Sequence, residues 1–462
     1  MKTDNQDPFT LRPLRPLSPL RILQVNAYDE GGGAEQVVQN LHTQYQTLGY
    51  PAQLAVGEQR TQNTSAIAIP KKIQDNWWSR LCLGIKNQLL PLDTRVRGVA
   101  RLRKALGDLA IGWDVVPRWR GMEEFHFPGT PELLKLNDFA PTLIHAHNLH
   151  GNYFDLRALK ALSISIPVVL TLHDAWLLSG NCAHSFGCER WKTGCGQCPD
   201  IHIYPGLARD TTALNWQRKK SIYTHSKLFI ATPSQWLLDK VKQSILAPAI
   251  IETRVIPNGV DTAIFKPAPR AQVRQTLGLP LEPTIFLFAA NGIRQNPFKD
   301  YETLREAIQT LARNTTQAVL LLALGEDGAD EVFGSVRIRY VGRIADPQQV
   351  AAYFQAANWY VHASKADTLP NSILEAMACA TPVIASSVGG IPEQVQNEKT
   401  GLLVAPRDAG ALAEALQRVL THPEMGVAMG AAALERVQAL YTLEKQAQAY
   451  LNWFTAIQNR NV

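Results

Sequence analysis

One stretch limits the possible folds of this chain more than any other. Residues 361–393 read VHASKADTLPNSILEAMACATPVIASSVGGIPE. An apolar run around Val361 has the composition of the end of a buried strand. Ile373, Leu374, Met377 and Ala378 then recur at helical spacing and point to a helix with a core-facing side. Thr368, Asn371 and Ser372 carry capping side chains, and Pro370 suits a first helical turn. Pro382 stops the helix, and Val383 to Ala385 begin another short strand. Strand, helix and strand this close form a parallel βαβ unit. A helix that begins past the carboxyl end of a parallel strand offers free N–H groups to an anion, above all a phosphate. Asp367 precedes this helix. Glu375 lies on it, on the same face as Asn371 one turn earlier. Two acids so placed suit a sugar at one end and a ribose at the other. The same pattern also suits an ordinary surface helix with a capping acid.

The unit recurs along the chain. Arg21 to Val25 is the first strand. The loop NAYDEGGGAEQ follows, and then the helical pattern VVQNLHTQYQTLGY. Gly31 to Gly33 let the backbone approach a ligand at the helix start. GGGAEQ lacks the spaced third glycine of the dinucleotide fingerprint, so a nicotinamide reading fails. TLIHAHN is a strand with His145 and His147 on one face. In VVLTLHDAW, His173 closes the strand at the edge where open α/β sheets bind ligands. An imidazole there can hydrogen-bond a sugar, move a proton or serve as a structural residue. KLFIATPSQW follows, then a Pro-rich link through Pro283, and a second run of strands and helices starts at TIFLFAANG. Arg294 and Lys299, in the loop after that strand, suit a diphosphate. From about Leu434 to Ile457 a long helical pattern carries Tyr450, Trp453 and Phe454, more apolar surface than a free tail needs.

These readings divide the 462 residues into a flexible lead-in (1–20), a first βα domain (21–252), a second βα domain (253–433) and a crossing helix (434–462) that packs back on the first domain. The net charge of +6 is too mild to demand nucleic acid. No 18-residue apolar run or signal-peptide core is present, so the expectation is a soluble cytoplasmic protein. Residues 71–120 are basic, with Lys71, Lys72, Arg80, Lys86, Arg95, Arg97, Arg101, Arg103 and Lys104 after or around Trp77 and Trp78. A solvated helical face is the first expectation here. Peripheral contact with the inner face of the plasma membrane is the second.

Four of the six cysteines crowd into an insert at 180–199: Cys182, Cys188, Cys195 and Cys198. In a reducing compartment this spacing favours a tetrahedral structural zinc, with His184 able to replace one thiolate. It fits neither common ferredoxin pattern. Four unligated thiols are the alternative.

Taken together, Gly31 to Glu35, His173-Asp174, Pro257 to Asp261, Arg294 with Lys299, and the acids Asp367 and Glu375 eight positions apart resemble the retaining glycosyltransferases of the GT-B fold, group 4 (glycosyltransferase family 4). The resemblance runs from Arg21 over almost the whole chain. Asp367 stands where the family pattern has a glutamate. The cysteine insert after HDAW is similar to a branch that builds bacterial exopolysaccharides such as colanic acid. The resemblance implies two Rossmann-like domains facing a cleft. It also implies transfer of a sugar from a nucleotide-diphosphate donor to a saccharide or lipid-linked acceptor, with retention and no catalytic cofactor. Arg294 and Lys299 would neutralise the diphosphate, and Asn371 and Ser372 would meet the phosphate. Glu375 would hold the ribose, Asp367 the sugar hydroxyls, and His173 would lie near the reacting centre. Gly32 and Gly33 would let the first domain close on the donor. The rival readings are a sugar-nucleotide epimerase or phosphorylase on the same fold and a zinc-stabilised binding protein without activity.

Overall fold

The computed structural model describes residues 19–460, apart from 62–65, 71–76, 91–97, 112–119 and 124–126. The lead-in expected at 1–20 lies almost wholly outside the described residues, as do Lys71, Lys72, Arg95 and Arg97 of the basic stretch. Short apolar strands alternate with helices and build two seven-stranded sheets. The first holds β1 (Ile22–Tyr28), β2 (Ala52–Glu58), β3 (Ala66–Ala68), β4 (Leu143–Ala146), β5 (Val168–Thr171), β6 (Leu228–Thr232) and β7 (Ile250–Val255) in the order 3-2-1-4-5-6-7, all parallel. The second holds β8 (Thr284–Ala289), β9 (Val319–Leu324), β10 (Glu331–Phe333), β11 (Val336–Val341), β12 (Trp359–His362), β13 (Val383–Ser386) and β14 (Gly401–Val404) in the order 10-11-9-8-12-13-14. Only β10 runs antiparallel to its neighbour, β11. β4, β5, β6, β9, β12 and β13 are buried along their whole length, as parallel strands covered on both faces must be.

The strand order reverses at β1, between β2 and β4, and again at β8, between β9 and β12. Adjacent connections there leave to opposite faces and open a crevice at the carboxyl ends of the strands, where ligands bind in such sheets. Both crevices open on the same gap between the two halves.

The helix Asn371–Ala378 forms where the capping and apolar pattern placed it. Ile373, Leu374, Met377 and Ala378 are fully buried. Two boundaries differ from those read in the sequence. Residue 252 falls inside β7, which pairs with β6 of the first sheet. The long tail pattern is two helices, Glu424–Leu440 and Leu443–Arg460. They separate where the chain crosses between the halves: Val260 N–H bonds Tyr441 C=O at 2.8 Å, and Gly259 N–H bonds Gln446 Oε1 at 3.0 Å. A Cβ on Gly259 would lie 2.7 Å from the Thr442 carbonyl, so only glycine allows this approach. The second helix buries Ala447, Tyr450, Trp453, Phe454 and Ile457 in one cluster with Ile22, Leu41 and Tyr45 of the first half. At about 25 cal/mol per Å², burial of these aromatic rings is the main force tying the chain end to the first sheet.

Candidate active site

Two adjoining cavities of about 310 and 190 Å³ fill the gap between the halves and share Gln36 and Ala345. Gly31, Gly32 and Glu35 face Asn291, Gly325 and Arg343 across the larger one. Gln36 and Asn40 face Asn371 and Glu375 across the smaller. Gly32 caps the helix Gly33–Thr47, and its N–H bonds the Glu35 carboxylate at 2.8 Å. Gly33 gives its carbonyl to the Asn371 amide of the other half at 3.1 Å. Asn371 is held from its other side by Asn258 at 2.9 Å.

Glu375 has an unusual environment. It lies one turn into the helix Asn371–Ala378, and no ion pair reaches it among the described residues. Burial pushes its carboxyl up to about 7. A carboxyl group in that setting gains from hydroxyl donors that enter its cavity.

Asp367 has the opposite environment. Lys299 Nζ lies 2.7 Å from its carboxylate, and His362 Nε2 lies 3.3 Å away. Burial alone would raise its pKa. Lys299 outweighs burial and holds the carboxyl far below its usual range. Burial, with Lys299 adding to it, pulls His362 down to about 4, so the ring is neutral. Lysine only donates, so Nε2 accepts from Lys299 at 3.2 Å and the ring proton lies on Nδ1. Nδ1 faces Tyr360 Oη at 2.9 Å, and Tyr360 donates to Ser372 Oγ at 2.9 Å. Lys299, Asp367 and Ser372 therefore belong to one polar chain through His362 and Tyr360. Gly389, at φ +57°, packs where a Cβ would meet the Asp367 carbonyl at 1.7 Å, so a larger residue would displace this loop.

Arg294 does not join this chain. Its guanidinium is paired with Glu326 and lies 5.0 Å above the Tyr340 ring. Arg343, which the sequence reading passed over, lines the larger cavity without an ion pair among the described residues. The sequence signal for it was its place just past β11, at another carboxyl strand end.

His173 lies two residues beyond β5. Its Nε2 is 3.1 Å from His147 Nδ1, and its carbonyl accepts from Thr368 of the other half at 2.9 Å. Burial holds His173 at about 4, against the pull of Asp174, and holds His147 well below the usual imidazole range. His145 and His147 do share a face, with ring centroids 4.2 Å apart. His145 continues through Thr171 to Tyr450 of the C-terminal helix, each step 2.8 Å. The sequence reading quoted Asp174 but gave it no role; it is ion-paired with His150 at 2.8 Å.

The zinc expectation is not supported. Cys182, Cys188, Cys195 and Cys198 line one cavity of about 30 Å³. Among the described residues, however, no three His, Cys, Asp or Glu side chains converge as ligands of one ion. Three of the sulfurs have local partners instead. Cys182 donates to Ser179 Oγ, Cys195 accepts from Gly180 N–H, and Cys198 donates to the Asp200 carbonyl. Burial pushes these three thiols up, Cys195 to about 11, which keeps them protonated. The insert instead spans the gap. His184 and Phe186 pack on Phe298 of the other half at 5.0 and 6.1 Å, one residue before Lys299.

Family models match most of the chain: Glycosyltransferase Family 4 over residues 31–264 and Glycosyl transferases group 1 over residues 283–422. The putative colanic acid biosynthesis glycosyl transferase WcaC of Escherichia coli (strain K12) is 26% identical over 338 residues, 68% of this chain and 76% of its own length. Two solved structures share the fold. Sucrose-phosphate synthase from Thermosynechococcus elongatus superposes with a TM-score of 0.61 at 22% identity, over 94% of this chain and 100% of its own. Anabaena HepE in complex with UDP-glucose superposes with a TM-score of 0.60 at 16% identity, over 95% and 100%.

Proposed function

Because this chain belongs to glycosyltransferase family 4, we propose that it moves a sugar from a nucleotide-diphosphate donor to a saccharide or lipid-linked saccharide, with retention, in bacterial surface or exopolysaccharide synthesis. The observation that carries the reading is Glu375, a half-buried carboxyl group with no ion pair among the described residues, facing Gln36 and Asn40 of the Gly33–Thr47 helix across a cavity between two switch points. Vicinal ribose hydroxyls would supply the donors it lacks. Arg294, Lys299 and Arg343 are cations of the loops on this side of the cleft, and cations there stabilise charge developing on a leaving diphosphate. Asn371 and Ser372 would meet the phosphates, and Asp367 the donor sugar. The Asp367 carboxylate is already held by Lys299. That favours front-face attack in which the departing phosphate, not a protein carboxylate, takes the acceptor proton. His173, neutral and fixed by His147, would line the reacting face. No cofactor takes part.

The test is calorimetric titration with UDP, GDP and ADP, with Glu375→Ala as control, followed by NMR of the product anomer. One nucleotide should bind, and the variant should lose it. Failure of all three to bind folded protein overturns the reading.

A second contact has its own support. The helices Trp77–Gln88 and Val99–Ile111 leave Trp77 (73% exposed), Trp78, Leu81, Ile85, Leu102 and Leu109 open to solvent, with Arg101 exposed beside them. Interfacial tryptophans with cations suit an anionic bilayer surface. Co-sedimentation with phosphatidylglycerol-containing vesicles, lost in Trp77→Ala/Trp78→Ala, is the expected result. Equal sedimentation of both proteins would refute it.

A further inference from the structure

The cysteine-bearing insert carries one side chain, His184, that the site described above leaves without a task. Its neighbours are fixed on both sides. Ala175, next to Asp174, gives its N–H to the Ala183 carbonyl at 2.7 Å, and Ala183 N–H bonds the Tyr204 carbonyl at 2.9 Å. Lys240 donates to Ser185 Oγ at 3.1 Å. The His184 ring between them meets Phe298 of the second half, with centroids 5.0 Å apart and planes at 60°. Phe298 belongs to the loop that carries the donor-site charges. Its carbonyl accepts from Lys365 N–H at 2.8 Å and from Ser364 Oγ at 3.0 Å, which ties it to the segment running into Asp367. Lys299 follows it directly and bonds Asp367.

The charges acting on the ring give it the same place. Burial holds His184 below the usual imidazole range; Asp174 and Asp367 pull the other way, and Lys299 and Lys240 add to burial. The ring thus lies between the His173–Asp174 strand end of one half and the Lys299–Asp367 pair of the other. Each of these charged groups already has a partner. Asp174 holds His150 at 2.8 Å and the Trp176 N–H at 2.9 Å. Asp367 holds Lys299 at 2.7 Å. Lys240 bonds Ser185 and lies against the Trp191 and Trp236 rings. His184 Nδ1, by contrast, is buried and has no hydrogen-bond partner among the described residues.

A buried polar atom without a partner is rare in native chains. A ring kept only to pack on Phe298 would be better as phenylalanine or leucine, which bring no polar atom to satisfy. A ligand entering between the halves can supply the missing partner. That partner must suit an imidazole with two carboxylates and two ammonium groups around it. A hydroxyl does, because it donates or accepts as the tautomer requires and adds no charge to a balanced surrounding.

We propose that His184, together with Asp367, reads a hydroxyl of the sugar being transferred, so that the cysteine insert supplies one wall of the donor-sugar pocket and takes part in choosing the sugar. The assignment rests on the transfer reading above and adds to it a specificity residue from outside the two sheets. His184 is not among the walls of the two cavities that take the nucleotide in that reading, so nucleotide and sugar affinities should separate.

Calorimetry on the full chain tests this with the parent, with His184→Phe, which keeps a ring against Phe298, and with His184→Asn, whose amide places a polar atom near the Nδ1 position. The probes are UDP, GDP and ADP, and UDP-glucose, UDP-galactose, UDP-N-acetylglucosamine, GDP-mannose, GDP-fucose and ADP-glucose. At least one sugar nucleotide should bind the parent. His184→Phe should weaken it about tenfold, the worth of one hydrogen bond, and leave the matching nucleoside diphosphate and the melting temperature unchanged. His184→Asn should recover most of the loss. Should His184→Phe not fold, His184→Leu takes its place. The proposal is overturned if the folded variant binds the sugar nucleotide as tightly as the parent, or if His184→Asn recovers nothing. It is also overturned if the variant loses nucleoside diphosphate and sugar nucleotide equally, which marks a residue that only supports closure. If no probe binds the folded parent, the transfer reading falls and this assignment falls with it. If the probes bind and the variants match the parent, this assignment falls alone.

Discussion

Substituting Glu375 by glutamine removes an ionisable group whose partial burial no counter-charge offsets among the described residues. Its pKa rises from 4.5 to about 7 because water is withdrawn from it and no cation replaces water. For an acid raised in the folded state, the stabilising contribution is fully present below the unfolded value, near 4.5, and is lost as pH climbs through about 7. At about 1.4 kcal/mol per pH unit, that gap makes the parent about 3 kcal/mol less stable at pH 8.5 than at pH 4.5, on account of this one group. Glutamine occupies the same space without a charge. The stabilities of parent and Glu375→Gln should therefore lie within about 1 kcal/mol of each other near pH 5 and differ by about 3 kcal/mol at pH 8.5, with the variant the more stable. Urea denaturation of both proteins across pH 5–8.5 measures the difference, and every other titrating group cancels in it. Nucleotide affinity should move the other way, because an amide offers ribose hydroxyls a weaker acceptor than a carboxylate does. A stability difference that does not change with pH would refute the environment assigned to Glu375. A variant that gains stability and keeps nucleotide affinity would refute its assigned role only.

Lys299→Ala leaves the Asp367 carboxylate beside a neutral histidine. The expected loss is about 3 kcal/mol in chemical denaturation, largely restored by adding Asp367→Asn, which should not restore nucleotide binding. Arg343→Ala should weaken nucleotide binding about tenfold in calorimetry without moving the melting temperature, since Arg343 makes no ion pair among the described residues. Trp453→Ala removes a fully buried ring that also donates to Glu252 at 3.0 Å. It should cost about 4 kcal/mol, and similar stability in parent and variant would mean the C-terminal helix is not held as described. Glu393→Ala removes the carboxylate that caps Gln235 and Trp236 of the opposite half, at 2.7 and 2.8 Å. About 1 kcal/mol of closure energy should go with it, read as a larger radius of gyration in solution scattering.

The fold was legible because the apolar runs are short, regular and separated by strong punctuation. Pro370, Pro382 and the Gly31–Gly33 run each fell at a real boundary. What local pattern cannot carry is the partner of a side chain. Lys299 and Asp367 were assigned to two different parts of a donor, yet they lie 68 positions apart in sequence and 2.7 Å apart in space. His362 escaped notice because a histidine at the end of an apolar strand carries no periodic signal. Its role exists only once β12 delivers it between Tyr360 and Lys299. The break between the last two helices was hidden for a similar reason. The residues at 441–442 do not break a helix by themselves; contact with the distant Gly259–Val260 segment does. The cysteine spacing is compatible with four ligands but does not force four sulfurs to converge, and Ser179, Gly180 and Asp200 offer three of them local partners.

The groups nearest the reacting face share one property: neither half holds them alone. Asn371 is positioned by Asn258 and then bonds Gly33 across the gap. Thr368 bonds the carbonyl of His173, and the insert rests His184 and Phe186 on Phe298, next to Lys299. Closure of the two halves therefore aligns the acids and cations of the second sheet with the histidines of the first in one step. Substitutions at Thr368 or Phe298 should then disturb both halves of the site together, whereas Glu375 acts on the donor side alone. This division separates residues that bind from residues that assemble, and it follows from where the hydrogen bonds cross the gap.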